Sequence, residues 1–214
     1  MNYQLAIFDL DGTLLDTLED LADSVNYVMR FFEYPERSLA EVRNFVGNGI
    51  RKLVEKSAPE GTAEEEVDRM LATFIVYYKE HCADKTKPYA GIWELLKQLR
   101  EKGVKLAVVS NKADAAVKVL CEQYFPGIFH ESVGERAGIA RKPAPDTVYE
   151  VLKNLRIEKA NAVYIGDSEV DVQTACNAEM ACIAVDWGFR DAKVLKEAGA
   201  DVIVSTPAAV LGYF

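Results

Sequence analysis

Three observations predict that this chain is an α/β protein, a doubly wound parallel sheet with an all-helical insertion after its first strand. Strand-like runs at residues 5–8, 104–109, 162–165 and 182–185 are separated by stretches with helical periodicity, the alternation produced by parallel strands joined through helical crossovers. The first run stands alone ahead of residues 17–83, which read as helix throughout. Three of the runs end in particular polar residues, Asp9, Ser110-Asn111 and Gly166-Asp167, and ligands of open α/β sheets bind beyond the carboxyl ends of the strands.

Leu5-Ala6-Ile7-Phe8 is a continuous apolar run of strand length. Asp16 or Thr17 then opens a helix, and Thr17 with Asp20 fits the [ST]-x-x-[DE] capping pattern. Apolar positions recur at helical spacing at Leu18, Leu21, Val25 and Val28, then at Val42, Phe45 and Val46, and again at Val67, Leu71, Phe74 and Ile75. Breaks at Tyr34-Pro35, Gly47-Asn48-Gly49 and Pro59-Glu60-Gly61 divide this stretch. After Lys87-Pro88-Tyr89-Ala90-Gly91 the pattern becomes helix 93–100, strand 104–109, helix 113–123, short strand 131–133 and helix 146–154. Strand 162–165, helix 170–176, strand 182–185 and a last strand at 202–204 follow, before a short terminal helix. The expected division is a Rossmann-like core of residues 1–14 and 86–214 with a helical module of residues 15–85 inserted into it.

At 214 residues there is room for a sizeable core and a second small module. Half the residues are hydrophobic and 28% are charged, as in ordinary globular proteins. The net charge of −9 disfavours nucleic acid and anionic membrane as partners, because attraction to phosphate dominates both. An anionic small molecule needs only a local cluster of cations to receive it. Cys82, Cys121, Cys176 and Cys182 form no CxxC pair and have no histidine at zinc-ligand spacing, so reduced, mostly buried cysteines are expected. Asp9 and Asp11 stand where a signal peptide needs its apolar core, and no apolar stretch approaches ~18 residues. The expected location is the cytoplasm.

Asp9 and Asp11 occupy alternate positions on the way out of a strand, which turns both carboxylates to one side. Two acids held there suit one group that attacks and one that moves protons, with a metal ion damping their repulsion. Arg141-Lys142-Pro143-Ala144-Pro145-Asp146 adds a lysine in a loop stiffened by two prolines. Each element also has an ordinary structural reading. Asp11-Gly12 between apolar runs is a hairpin signal, although the capping pattern at Thr17 argues against a second strand. Ser110-Asn111 and Gly166-Asp167-Ser168 both suit the N-cap of a following helix, and Lys142 alone would be a solvated surface lysine.

Taken in order, these residues resemble the haloacid dehalogenase superfamily, whose phosphotransfer members share a DxDGT/V motif, a Ser/Thr after the second strand, a later Lys and a GDxxxD motif. In this chain the four are Asp9-x-Asp11-Gly12-Thr13, Ser110, Lys142 and Gly166-Asp167-Ser168-Glu169-Val170-Asp171. The insertion lies where that family carries its α-helical cap. The resemblance implies that Asp9 attacks phosphorus to form an aspartyl-phosphate. Asp11, beside the acids Asp9 and Asp167, would protonate the departing oxygen and later take a proton from water. It implies Mg²⁺ held by the Asp9 side chain, the Asp11 backbone carbonyl and Asp167. Lys142, positioned by Asp171, would hold the phosphate and Asp9, while Thr13, Ser110 and Asn111 would offer hydrogen bonds to the transferring oxygens.

Val46-Gly47-Asn48-Gly49, together with Lys87-Pro88-Tyr89-Ala90-Gly91 and Trp187-Gly188-Phe189-Arg190, is similar to bacterial phosphoglycolate phosphatases. That similarity implies a small phosphate ester, 2-phosphoglycolate, as substrate. Gly47, Asn48 and Gly49 would let backbone approach the ligand, and Arg51 would pair with its carboxylate. The plain alternative is a helix–helix turn with Arg51 and Lys52 in solvent, and with Trp187 and Phe189 closing the core. Relatives acting on pyrophosphate, nucleotides or sugar phosphates share parts of these motifs. Mutases of the β-phosphoglucomutase type keep both aspartates but usually have a hydrophobic residue where Thr13 stands. Dehalogenases lack the second aspartate. Receiver-type phosphoacceptor modules, a different class, need no insertion of about seventy residues after the first strand.

Overall fold

A computed structural model describes residues 3–214. Along the chain the elements are β1 (Leu5–Phe8), β2 (Leu15–Asp16), α1 (Leu18–Phe31), α2 (Leu39–Phe45), α3 (Gly49–Ser57), α4 (Glu64–His81) and β3 (Lys87–Pro88). Next come α5 (Ile92–Glu101), β4 (Lys105–Ala113), α6 (Asp114–Tyr124), β5 (Glu131–Glu135) and α7 (Asp146–Leu155). The chain ends with β6 (Ala162–Gly166), α8 (Glu169–Asn177), β7 (Ala181–Val185), α9 (Ala192–Glu197), β8 (Ile203–Val204) and α10 (Pro207–Val210). The chain divides into two units: the residues up to Leu15 with Pro88–Phe214, and Asp16–Lys87.

The first unit is a six-stranded sheet in the order β5-β4-β1-β6-β7-β8, with each neighbouring pair parallel. The fold is the α/β class expected from the sequence. β1 is central and its four residues are at most 1% exposed. A strand covered on both faces has no polar side, which is why it reads as an unbroken apolar run. Leu5, Ile7, Val109, Val133 and Tyr164 pack with Val148, Val151 and Leu152 of α7 and with Ala175 of α8. The chain passes from β1 to β4 and β5 on one side, then crosses to β6 on the other. That reversal of direction opens a crevice at the carboxyl end of β1.

The second unit is helical, as its periodicity predicts, with α1–α4 burying Leu21, Val25, Val42, Leu53, Val67 and Phe74. Ser38 and Glu41 form a capping box at the start of α2. The side chain of Asn26 bonds both Arg37 O and Arg37 N, at 2.9 and 2.8 Å, fixing the α1–α2 connection.

Some expectations need correction, and two of the ordinary structural readings, the cap at Ser110-Asn111 and the hairpin at Asp11-Gly12, are excluded. The Thr17–Asp20 capping box does not form: Thr17 makes no side-chain cap bond, and the Asp20 carboxylate accepts from Lys85 N, Thr86 N and Thr86 Oγ1 instead. Two backbone donors and a hydroxyl hold a carboxylate more strongly than one helix N–H does. β4 runs on to Ala113, so Ser110-Asn111 is strand and not a helix cap. Asp11-Gly12 leads into a tight turn, with Gly12 N donating to Leu15 O at 2.8 Å, and not into a hairpin. The helix α9 and the short ladder β2–β3 are not foreseen by the sequence pattern. Of the four free cysteines only Cys121 is buried, and Cys176 is exposed. Among the described residues no helix is long and apolar enough to cross a membrane.

Candidate active site

Pairing of β1 with both β4 and β6 assembles the polar strand tips. Phe8 is in register with Val108 on one side and Ile165 on the other, so Asp9, Ser110 and Asp167 all stand just beyond the same level. Asp9 N still donates to Ile165 O at 2.9 Å, which fixes where the Asp9 side chain leaves the sheet.

Lys142 and Asp171 meet Asp9 at this tip. Lys142 Nζ lies 2.9 Å from Asp9 Oδ1 and 2.7 Å from Asp171 Oδ1, so this lysine is buried and not a solvated surface residue. It also donates to the hydroxyl of Tyr164 at 3.0 Å, which in turn donates to Val109 O at 3.1 Å. Asp171 Oδ2 accepts from both Ser168 N and Ser168 Oγ. Both oxygens of Asp171 are therefore committed, one to Lys142 and one to the start of α8. Asp167, fully buried, accepts from Thr13 Oγ1 at 3.0 Å and from Phe189 N at 2.7 Å. The Thr13 hydroxyl thus faces Asp167, whereas the resemblance turns it toward the transferring oxygens.

Carboxylate oxygens of Asp9, Asp167 and Asp171 lie within 4.8 Å of one another. Burial raises the Asp9 carboxyl to about 7, Asp171 pushing the same way and Lys142 opposing. Burial also holds Asp167 well above the usual carboxylate range, reinforced by Asp171 and Asp9. Lys142 keeps its proton despite burial because Asp171 and Asp9 outweigh the loss of water. Three buried acids lie together with one lysine, which pairs with Asp9 and Asp171 but not with Asp167, so the cluster lacks positive charge, and an all-oxygen donor set of this kind fits a hard divalent cation.

Close backbone approach builds the wall around Asp167. A Cβ on Gly188 would come 2.2 Å from Gly12 O and 2.5 Å from Asp167 Oδ2; one on Gly12 would come 2.3 Å from Asp167 Oδ2. Gly12 moreover has φ +89°, the left-handed region. Trp187 Nε1 donates to Thr13 O at 3.0 Å, and Arg190 makes a two-pronged pair with Glu169 at 2.8 and 3.2 Å. Residues 187–190 therefore brace the Asp9–Thr13 turn and Asp167, and Trp187 and Phe189 do more than close the core.

Asp11 is placed differently from expectation. Its carboxylate does not join the acidic cluster but pairs with Lys112 Nζ at 3.0 and 3.1 Å, leaving its backbone carbonyl as the atom that the resemblance assigns to the metal. Ser110 Oγ accepts from Lys112 N, and Asn111 Nδ2 donates to Lys142 O at 3.0 Å. Sequence reasoning misses Lys112 and Tyr164, and it reaches Gly188 only as part of the Trp187-Gly188-Phe189-Arg190 resemblance, with no role assigned to it. A usable signal exists for the first two: a lysine directly after Ser110-Asn111, and a tyrosine within an aliphatic strand, whose hydroxyl needs a partner when buried.

The remaining candidates, Gly47, Asn48, Gly49 and Arg51, lie in the helical unit. Gly47-Asn48 forms the turn into α3, with Gly47 at φ 119° and Gly49 at φ 80°. Arg51 is occupied by neighbours on its own unit: Glu55 at 3.0 Å, Asp68 at 2.7 Å and Glu64 at 3.5 Å. It is neither a free solvent cation nor an open carboxylate receptor. Lys52 pairs with Glu55.

Residues 6–185 match the model of the haloacid dehalogenase-like hydrolase family. The chain is 35% identical over 198 residues to a phosphoglycolate phosphatase of Psychrobacter arcticus, covering 89% of this chain and 86% of that one. It is 32% identical over 207 residues to phosphoglycolate phosphatase 1 of Pseudomonas aeruginosa, covering 94% and 76%. A crystal structure from Lactobacillus delbrueckii subsp. bulgaricus, provisionally assigned as a phosphoglycolate phosphatase, superposes with a TM-score of 0.94 at 44% identity over 98% and 97% of the two chains.

Proposed function

Because the chain belongs to the haloacid dehalogenase-like hydrolases and is a phosphoric monoester hydrolase, we propose that it hydrolyses 2-phosphoglycolate with Mg²⁺ through an aspartyl-phosphate on Asp9. The observation that carries the mechanism is Asp9 at the tip of the central strand, 2.9 Å from the buried Lys142, with Asp11 set apart. A phosphate arriving beyond the sheet would meet Lys142, which offsets the charge of its oxygens and of Asp9. Asp9 attacks phosphorus as the ester P–O bond breaks, and Asp11 delivers a proton to the departing oxygen. Water then opens the acyl phosphate, Asp11 takes a proton from it, and Asp9 is restored. Ser110 and Asn111 at the tip of β4 serve the transferring oxygens, and Asp171 keeps Lys142 in place. Mg²⁺, held by Asp9, Asp167 and the Asp11 backbone carbonyl, would supply the positive charge that favours ionised Asp9 and steadies the phosphoryl oxygens.

The substrate assignment rests on the relatives' names. Gly47, Asn48, Gly49 and Arg51 are the residues the resemblance offers for recognising a substrate carboxylate, and Arg51 would exchange Glu55 and Asp68 for it. A small diffusible ester and four free cysteines suit a cytoplasmic enzyme. The test is phosphate release from 2-phosphoglycolate, other esters, glucose 1-phosphate and pyrophosphate, each with Mg²⁺, with EDTA and with Asp9→Asn. A metal-dependent preference for 2-phosphoglycolate that vanishes in Asp9→Asn is expected. Even turnover across the panel would remove the substrate assignment, and activity surviving Asp9→Asn would remove the mechanism.

A further inference from the structure

Among the described residues two lysines are buried, Lys112 and Lys142, and each is matched to one carboxylate of the Asp9-x-Asp11 pair. Lys142 takes Asp9. Lys112, its side chain only 2% exposed, takes Asp11, whose own side chain is 16% exposed. The ammonium lies 3.0 Å from one oxygen of Asp11 and 3.1 Å from the other. A cation seated evenly between both oxygens fixes the direction of the carboxylate as well as its position.

Lys112 is itself held. Its backbone N–H donates to Ser110 Oγ, and β5 presses against it so closely that a Cβ on Gly134 would come 2.5 Å from Lys112 O. The tip of β4 is thus arranged around this lysine. Asp9 and Asp171 already share Lys142, Asp167 is buried beside them, and a fourth acid entering that cluster would be repelled. A lysine of its own holds Asp11 elsewhere.

We propose that Lys112 is a positioning residue for proton transfer: it keeps Asp11 out of the Asp9–Asp167–Asp171 cluster and directs it at the leaving oxygen. The inference rests on the reading of Asp11 as the group that exchanges a proton with that oxygen. In the first half-reaction the bond from Asp9 to phosphorus forms and the ester P–O bond breaks. The electron pair of the broken bond takes the proton from the Asp11 carboxyl, which in its protonated form keeps Lys112 on one oxygen and turns the O–H of the other to the leaving oxygen. An alkoxide needs that proton to leave; p-nitrophenolate, a stable anion, does not.

The leaving group is therefore the readout. kcat/KM, which reports the steps through departure of the leaving group, is measured with excess Mg²⁺ on an alkyl phosphate and on p-nitrophenyl phosphate. The variants are Lys112→Met, Lys112→Arg, Gly134→Ala and Asp11→Asn. Lys112→Met is expected to lose about 10²-fold on the alkyl ester and only a few-fold on the nitrophenyl ester. Lys112→Arg should recover most of that selective loss, and Gly134→Ala, which moves the lysine without changing its charge, should show a smaller loss of the same kind. Equal losses on both esters, or none on either, in Lys112→Met would overturn the proposal, since a merely structural lysine lowers both alike. If Asp11→Asn shows the selective loss and Lys112→Met does not, only the role of Lys112 falls. If Asp11→Asn shows none, the proton-transfer reading falls with it.

Discussion

A methyl group added at Gly188 would lie 2.2 Å from the Gly12 carbonyl oxygen and 2.5 Å from Cβ and Oδ2 of Asp167, where ordinary contact begins near 3.4 Å. Relief demands a displacement of about 1 Å, and neither neighbour is a flexible side-chain end. Gly12 belongs to the backbone turn that carries Asp9 and Asp11, and Asp167 is tied by Thr13 and Phe189 at 3.0 and 2.7 Å. Overpacking of this kind costs about 1–3 kcal/mol, which for a chain of this size lowers Tm by about 2–4 °C per kcal/mol. The larger effect is on rate, because misplacing a reacting constellation by about 1 Å costs on the order of 10²-fold. Since Asp167 is a proposed Mg²⁺ ligand, half-maximal activation should also require more Mg²⁺. Phosphate release titrated with Mg²⁺, beside a thermal melt, measures both. Gly212→Ala, with nothing within 4 Å of its new Cβ, is the matched control and should behave as wild type. Unchanged kcat/KM and unchanged Mg²⁺ dependence in Gly188→Ala would refute the claim that this glycine frames Asp167.

Three further outcomes are expected. Asp20→Ala removes the carboxylate that accepts from Lys85 N, Thr86 N and Thr86 Oγ1, leaving Thr86 Oγ1 with Cys82 O at 3.2 Å, and should cost about 3 kcal/mol in urea unfolding; a loss below about 1 kcal/mol would mean that water replaces the carboxylate there. Tyr164→Phe removes the hydroxyl between Lys142 and Val109 O, for an expected loss of about 1–2 kcal/mol and a several-fold fall in kcat with KM little changed; an unaltered kcat would show that Asp171 alone orients the lysine. Burial, aided by Arg100, holds His130 below its ordinary value of 6.5. Between those values the unfolded chain takes up a proton that the folded chain refuses, so this group's contribution to stability is full above 6.5 and declines as pH falls. Urea midpoints at about pH 7.5 and about pH 5.5 should therefore differ less in His130→Gln than in wild type, and equal differences would mean that folding does not lower the proton affinity of His130.

Much of the fold was legible because the physics behind it is local. β1 reads as an apolar run because it is buried on both faces, and α1–α4 read as helices because one face of each is buried. The ends of β1 and β6 were marked by Asp9 and Gly166-Asp167, residue types that a strand interior does not carry. α9 escaped because it is only six residues long, with Leu195 its one buried residue, too short for periodicity to register. The extension of β4 through Ser110–Ala113 was hidden because Ser-Asn beside a helical pattern is also the composition of a cap.

The sequence by itself determined the class of the sheet and the helical insertion, and it offered Asp9, Asp11 and Asp167 at or just beyond the ends of apolar runs and Lys142 in a proline-stiffened loop, while Asp171 came only with the family resemblance. Only the tertiary structure decided which charge faces which. Lys112 and Lys142 divide Asp11 and Asp9 between them, Thr13 turns to Asp167, Arg51 turns to Glu55 and Asp68, and Gly188 meets Gly12 across 176 positions of chain. Pairing of this kind depends on distances between segments that β1, β4 and β6 bring side by side. A pattern of residue types along one chain records what each segment offers, and the register of the sheet selects the partner.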